Sequence, residues 1–184
     1  MHYVIAGFKR VSTLIHILVL KVLYGKKFMC AGIGNIDNTS HFAIQDSGRI
    51  VLGKKIGMRK RCDISVSENG LIELNDNVFL NNQCMIVAHE HIKIGKGTRF
   101  GPDVKIYDHD YDIRNYDAYV KGKHKTAPII IGDNCWIGAG SIILRGSELG
   151  NNCVIGAGCV IKGKYEKNSI IVQKRQEVVK INRE

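Results

Sequence analysis

Branched aliphatic residues fall at every sixth position through Ile131, Ile137, Ile143, Leu149, Ile155 and Ile161. The fourth residue after each is small (Cys135, Ser141, Ser147, Cys153, Cys159) until Tyr165 breaks the rule. An α-helix repeats every 3.6 residues and a simple strand every two, so neither carries a period of six. A parallel β-helix does. Each six-residue unit is one flat face of a triangular coil, the aliphatic points inward, and a Gly or Asn makes the corner. The beat also runs through Leu52, Met58 and Ile64, then Leu74, Leu80 and Ile86, then Ile94, Phe100 and Ile106. Three units make a coil, so residues 52–165 supply about five coils whose inward side chains stack in one column.

Three segments depart from the beat. Residues 7–24 read as a helix with an apolar face of Val11, Leu14, Ile15, Leu18, Val22 and Tyr24. The apolar stretch is too short to span a bilayer and is interrupted by His16 and Lys21. Bases precede an apolar run, but no small-residue cleavage site follows. Three roles fit this helix: covering the open end of the coil, lying on an anionic membrane surface, or contacting another subunit. Residues 107–128 leave the repeat as a long loop rich in Tyr and Asp, and long loops on a rigid scaffold are frequently functional. The tail carries a strand at Ser169–Val172 and a short helix at Lys174–Ile181, with Val178, Val179 and Ile181 turned inward. The expected organisation is a helical segment at 1–30, a β-helix at 31–165 and a cap at 166–184.

The 184 residues suit one domain with a real core. The net charge of +10 is concentrated at the ends. Residues 1–30 hold Lys9, Arg10, Lys21, Lys26 and Lys27 with no acid, and residues 162–184 hold seven bases against three acids. Such an excess points to an anionic partner: a phosphorylated cofactor, a membrane surface or nucleic acid. Cys62, Cys84, Cys135, Cys153 and Cys159 all occupy the small inward slot, which marks them as reduced core residues rather than a disulfide framework. His109 stands out chemically. It sits at the lip of the long loop between Asp108 and Asp110, and an imidazole there can take a proton from a hydroxyl.

The run GDNCWIGAGSIILRGSELGNNCVIGAGCVIKG, with IGKGTRFGPDVKI and the His-Asp before the loop, resembles the hexapeptide-repeat acyltransferases over residues 50–165. It is most similar to the sugar O-acetyltransferases, both the maltose and galactoside type and those that modify bacterial surface polysaccharides. The resemblance implies an all-β, left-handed parallel β-helix of about five coils with an N-terminal helix, one long loop and a short C-terminal helix. It implies acetyl transfer from acetyl-CoA to a sugar hydroxyl, without a metal, in a cytoplasmic homotrimer whose active sites lie between subunits.

By the same resemblance His109 is the general base, Asn81 holds the acceptor, and Trp136 walls the cleft. The backbones of Ala139, Gly156 and Ala157 meet the pantetheine arm. Asp108 and His89 line the acceptor side. Lys162 and Lys164 suit the CoA phosphates. The family's usual C-terminal Gly-x-Pro-Ala-Lys segment is replaced by VQKRQEVVK, so Lys174, Arg175 or Lys180 would meet the nucleotide. The basic apolar helix stands where the sugar enzymes carry another N-terminal domain. This favours a glycan or lipid-linked acceptor beside the inner membrane.

Other readings remain open at this level. N-acetylation of an amino sugar needs the same base and groove. His89, His91, His109 and His124 invite comparison with zinc β-helices of the carbonic anhydrase type, which need three converging imidazoles. By coil register His89 lies one coil beneath His109. A non-catalytic scaffold is the third alternative. Nucleic acid is disfavoured, because no aromatic platform is interleaved with the bases.

Overall fold

A computed structural model describes the backbone of residues 2–174 and the side chains of residues 11–174 apart from Ala118. The expected helix at Lys174–Ile181, and Arg175 and Lys180 with it, lie outside the described residues. The rest is a mostly β solenoid of about six turns. Three parallel sheets form its walls, two of seven strands and one of six. The first wall runs from Phe28–Cys30 to Lys164–Tyr165, the second from Asn35–Ile36 to Ile170–Ile171, and the third from His41–Ile44 to Val160–Ile161. Strands therefore begin earlier and end later than the clear part of the sequence pattern, which accounts for the additional turn.

The period of six survives in every upper-coil position named above: Ile131, Ile137, Ile143, Leu149, Ile155 and Ile161 are each no more than 3% exposed. Burying each such side chain stabilises by about 1.5–3 kcal/mol. Ile143 pairs with Ile161, one coil on after 18 residues. The lower coils are longer, with Ile50 pairing with Ile72, 22 residues on. There, four-residue strands such as Arg49–Leu52 and Leu71–Leu74 alternate buried positions with half-buried or exposed ones, placing two inward residues on each face. The extra residues lengthen the face without changing the stacking.

Gly or Asn makes each of the upper-coil corners, as the repeat implies. The left-handed residue is the third after the aliphatic, at Asn134, Gly140, Gly146, Asn152 and Gly158. The glycine directly after the aliphatic is required for clearance instead. A Cβ at Gly138 would lie 2.5 Å from the Ala157 nitrogen of the next coil, well inside van der Waals contact. The five inward cysteines are free and buried. A hydrogen bond with Cys62, together with burial, pushes the Cys84 thiol far above its ordinary value, so it is no nucleophile at neutral pH.

Helix α1 (His2–Tyr24) closes the first coil. The face it turns inward is not the apolar face read from the sequence. Thr13, Ile17 and Leu20 are buried, whereas Val11, Leu14, Ile15, Leu18 and Val22 are exposed along with Val19 and Leu23. The reason is the sheet edge. Thr13 Oγ1 donates to the Ile36 carbonyl at 2.9 Å and accepts from the Ile36 N–H at 3.2 Å. Tyr24 donates to the Phe42 carbonyl at 3.0 Å. A face that satisfies an open strand edge is buried in preference to a purely apolar one.

Candidate active site

Third-wall strands Met85–Ala88 and Lys105–Tyr107 stack in register, with Val87 beside Tyr107. The chain continues past both strands to His89 and to Asp108–His109. Identical register on successive coils therefore puts His89 under His109, ring centroids 4.0 Å apart. The long loop then folds back on this pair. His109–Tyr111 and His124–Thr126 form an antiparallel ladder, with Tyr111 opposite His124, and the short helix α2 (Tyr116–Val120) lies between them. His124 arrives 4.2 Å from the ring of His89 and 5.0 Å from that of His109. Loop 107–128 is thus a structured excursion that completes a triad of imidazoles.

Asp108 organises the centre. It is fully buried, and its oxygens accept the backbone N–H groups of His89 at 2.9 Å and Glu90 at 2.8 Å. Burial by itself pushes its carboxyl up. The hydrogen bond with His109 and those two backbone donors outweigh burial and hold it below the usual carboxylate range. An ionised carboxylate only accepts, so the 3.2 Å contact with His109 Nδ1 places the ring proton on Nδ1. That leaves the His109 Nε2 lone pair free to receive a proton.

Glu68 supports the other two rings. Its Oε1 lies 3.1 Å from His89 Nδ1 and 3.6 Å from His124 Nδ1, and Ser67 Oγ lies 3.3 Å from His89 Nδ1. Glu68 has a left-handed backbone, φ 55°, a conformation that costs a non-glycine residue about 1–2 kcal/mol. Its N–H donates to Asp46 Oδ2 at 3.1 Å. Burial, with His89 and His109 nearby, holds the His124 imidazole below its ordinary value, and Glu68 only partly opposes this. His124 stays neutral around pH 7, and its buried Nδ1 makes no hydrogen bond. A polar cleft of about 400 Å³, lined by Asp112, Asn115, Asp117, Lys121, Lys123 and His124, opens beside the ring.

The structure therefore gathers His109, Asp108 and His89 from the sequence-derived set, and adds His124 and Glu68. Of the four histidines compared with zinc β-helices, three converge. His91 lies instead on the first wall, 2.7 Å from Glu73. Trp136 is on the second wall and 59% exposed. Asn81 follows the second-wall strand Phe79–Leu80, and its Oδ1 accepts the Asn82 N–H. Ala139, Gly156 and Ala157 stack at the corner after second-wall strands. Lys162 precedes, and Lys164 belongs to, the first-wall strand Lys164–Tyr165, and Lys164 is paired with Glu148 at 2.7 Å. Within one chain, none of these lies in the histidine cluster. Glu68 left no mark in the sequence beyond coil register: Val66 pairs with Ala88, which sets Ser67 beneath His89.

The family model for bacterial transferase hexapeptide repeats matches residues 128–163. Nodulation protein L of Rhizobium leguminosarum bv. viciae is 37% identical over 101 residues, covering 54% of this chain and 50% of its own. The chain spans about half the length of that relative. The lipopolysaccharide biosynthesis O-acetyl transferase WbbJ of Escherichia coli K12, itself a putative assignment, is 24% identical over 145 residues, 74% of each chain. Among solved structures, a maltose O-acetyltransferase from Clostridium difficile 630 superposes with a TM-score of 0.52 at 27% identity, covering 82% of this chain and 67% of that one. In its stacked six-residue coils and in these relatives, the chain is similar to the bacterial hexapeptide-repeat transferases, whose family model matches its upper coils.

Proposed function

We propose that the chain transfers acetyl from acetyl-CoA to a sugar hydroxyl, the acceptor being a bacterial surface polysaccharide or its precursor. The observation that carries this reading is His109, with Nδ1 anchored on a buried anion and Nε2 free. In the reaction Nε2 takes the hydroxyl proton as the oxygen attacks the thioester carbonyl. The tetrahedral intermediate collapses, the C–S bond breaks, and the proton held on Nε2 passes to the departing sulfur. The products are the acetyl ester and CoA thiol. Asp108 stabilises the transient imidazolium without itself taking the proton. The polar cleft beside His124 suits a hydroxyl-rich acceptor, and the sugar acetyltransferases among the relatives support that class.

The donor belongs along the small-residue corner of Ala139, Gly156 and Ala157, where the missing side chains let a thin pantetheine arm approach. That corner and exposed Trp136 lie on a different wall from His109. A homotrimer resolves the separation, because the second wall of one subunit then faces the histidine wall of its neighbour. Thiol release from acetyl-CoA, measured against sugars, nucleotide sugars, amino sugars and oligosaccharides, tests the activity. His109→Ala should lower turnover by about 10²–10⁴-fold while sedimentation still reports a trimer. Full activity in that variant would remove His109 as the base, and preferential use of amines would replace the O-acetyl reading.

The acceptor's place at a membrane is supported by α1. Its outward apolar face is flanked by exposed Lys21, Lys26 and Lys27, with no acid before Asp37. No described helix is long and apolar enough to cross a bilayer. An apolar face bordered by lysines fits an anionic lipid surface lying alongside it. Co-sedimentation with phosphatidylglycerol vesicles, but not with phosphatidylcholine alone, is the expected result, and Leu18→Asp with Val22→Asp should abolish it. If that double variant instead dissociates the oligomer, the face is a subunit contact.

A further inference from the structure

We propose that His89, His109 and His124 form a binding site for one transition-metal ion of the Zn²⁺ class, and that occupancy switches the enzyme off. The ligand nitrogens all lie within 4.8 Å of one another, and no other trio of His, Cys, Asp or Glu side chains among the described residues comes as close. A tetrahedral ion with bonds of about 2.0–2.1 Å sets its imidazole nitrogens roughly 3.4 Å apart. Small rotations of the three rings close that gap. Three imidazoles favour zinc, nickel or copper over magnesium or calcium, which prefer oxygen.

The surroundings are those of ligating rather than merely packed histidines. His109 has its Nδ1 on Asp108 at 3.2 Å, and His89 has its Nδ1 on Glu68 at 3.1 Å. Each carboxylate fixes a ring and leaves Nε2 as the donor atom, the outer-shell arrangement that raises metal affinity. His124 contributes the buried ring nitrogen that has no hydrogen bond, an unmet polar group that a bound ion's field and ligand geometry would reorganise. The cleft beside it, with Asp112 and Asp117 in its lining, gives a hydrated cation a route inward.

The inhibition rests on the proposed role of His109; the binding does not. One lone pair on His109 Nε2 cannot hold a metal and accept a proton together, so metal and acceptor deprotonation exclude each other. Chelator-treated protein should take up one equivalent of Zn²⁺ per chain in competition with a chromogenic chelator. His124→Ala and His89→Ala should each weaken binding at least tenfold, and Glu68→Gln by about tenfold or more. His91→Ala, on another wall, should bind like the parent. Far-UV circular dichroism confirms that each variant is folded.

Thiol release by the parent should fall with zinc occupancy and return with chelator, while residual activity of His124→Ala should be insensitive to zinc at the same concentration. Failure to bind zinc, or binding that survives both histidine substitutions, overturns the site. Stoichiometric binding with unchanged or increased transfer overturns the switch. Zinc binding in a protein that transfers no acetyl group would leave the site standing and remove the acetyltransferase reading.

Discussion

The coil wall and the excursion at 107–128 build the same site by opposite means. On the wall, Ile86, Ile106 and Ile143 stack coil upon coil, each no more than 1% exposed, and the backbone of every coil bonds the next. His89 and Asp108 inherit their positions from that stack. The excursion has little of this. A two-stranded ladder holds it, with an Arg145–Asp110 pair at 2.5 Å and a Lys125–Asp112 pair at 2.6 Å, while Ile113, Tyr116, Tyr119 and Val120 stay exposed. Solvated ion pairs contribute only about 0–1 kcal/mol each. The wall supplies rigidity, His89 and the point at which Asp108 leaves the coil; the excursion, whose ladder begins at His109 itself, adds the third imidazole on a segment that can open at small cost.

Asp108, at the junction, should show the largest effect. Asp108→Ala strands two part-buried backbone donors, at up to about 1–3 kcal/mol apiece, and frees the His109 ring. Denaturant unfolding should show the combined loss, and turnover should fall in protein that remains folded. Retained stability and turnover would mean that the two coils do not depend on this carboxylate.

The next contrast is within apolar residues. Ile106→Ala should cost about 2–5 kcal/mol, because the column above and below cannot collapse into the void. Val120→Ala, on the exposed α2, should change stability by less than about 0.5 kcal/mol. Similar costs at the two positions would erase the distinction between wall and excursion.

The sequence carried the wall well because each coil interior is chemically alike, so one period reports the whole stack. It carried coil length less well. In the lower coils Ile50 and Leu52, or Ile72 and Leu74, share one longer face, and counting in sixes underestimates it. For α1 the apolar pattern was visible, yet the buried side was set by Thr13 and Tyr24 meeting backbone groups at a sheet edge, which hydrophobicity does not encode. His109 and His89 were legible by register. His124 was not placed, because an antiparallel ladder within a Tyr- and Asp-rich segment leaves no period, and Glu68 reaches the rings from a left-handed turn.

The mildest test separates wall from excursion by pH. The groups facing His124 are His89, His109, Glu68 and Tyr111. The folded state holds the His124 imidazole below its reference value of 6.5, so below that pH the unfolded chain binds a proton that the folded chain resists. Stability is therefore fully present above about pH 6.5 and declines as pH falls toward the lowered folded value. Half-buried His16 on α1 is also held low and acts in the same direction, so a global melt mixes the two. Amide hydrogen exchange resolves them. Between pH 7.5 and 5.5, after correction for intrinsic rates, protection should fall first in the ladder of residues 109–111 and 124–126, while strands of the third wall stay protected. His124→Gln should flatten the response in the ladder and leave any at α1 unchanged. Asp108 does not confound this window, because its lowered carboxyl is protonated only below the ordinary carboxylate range. Equal loss of protection in the ladder and the wall would mean that the excursion is as firmly held as the coils.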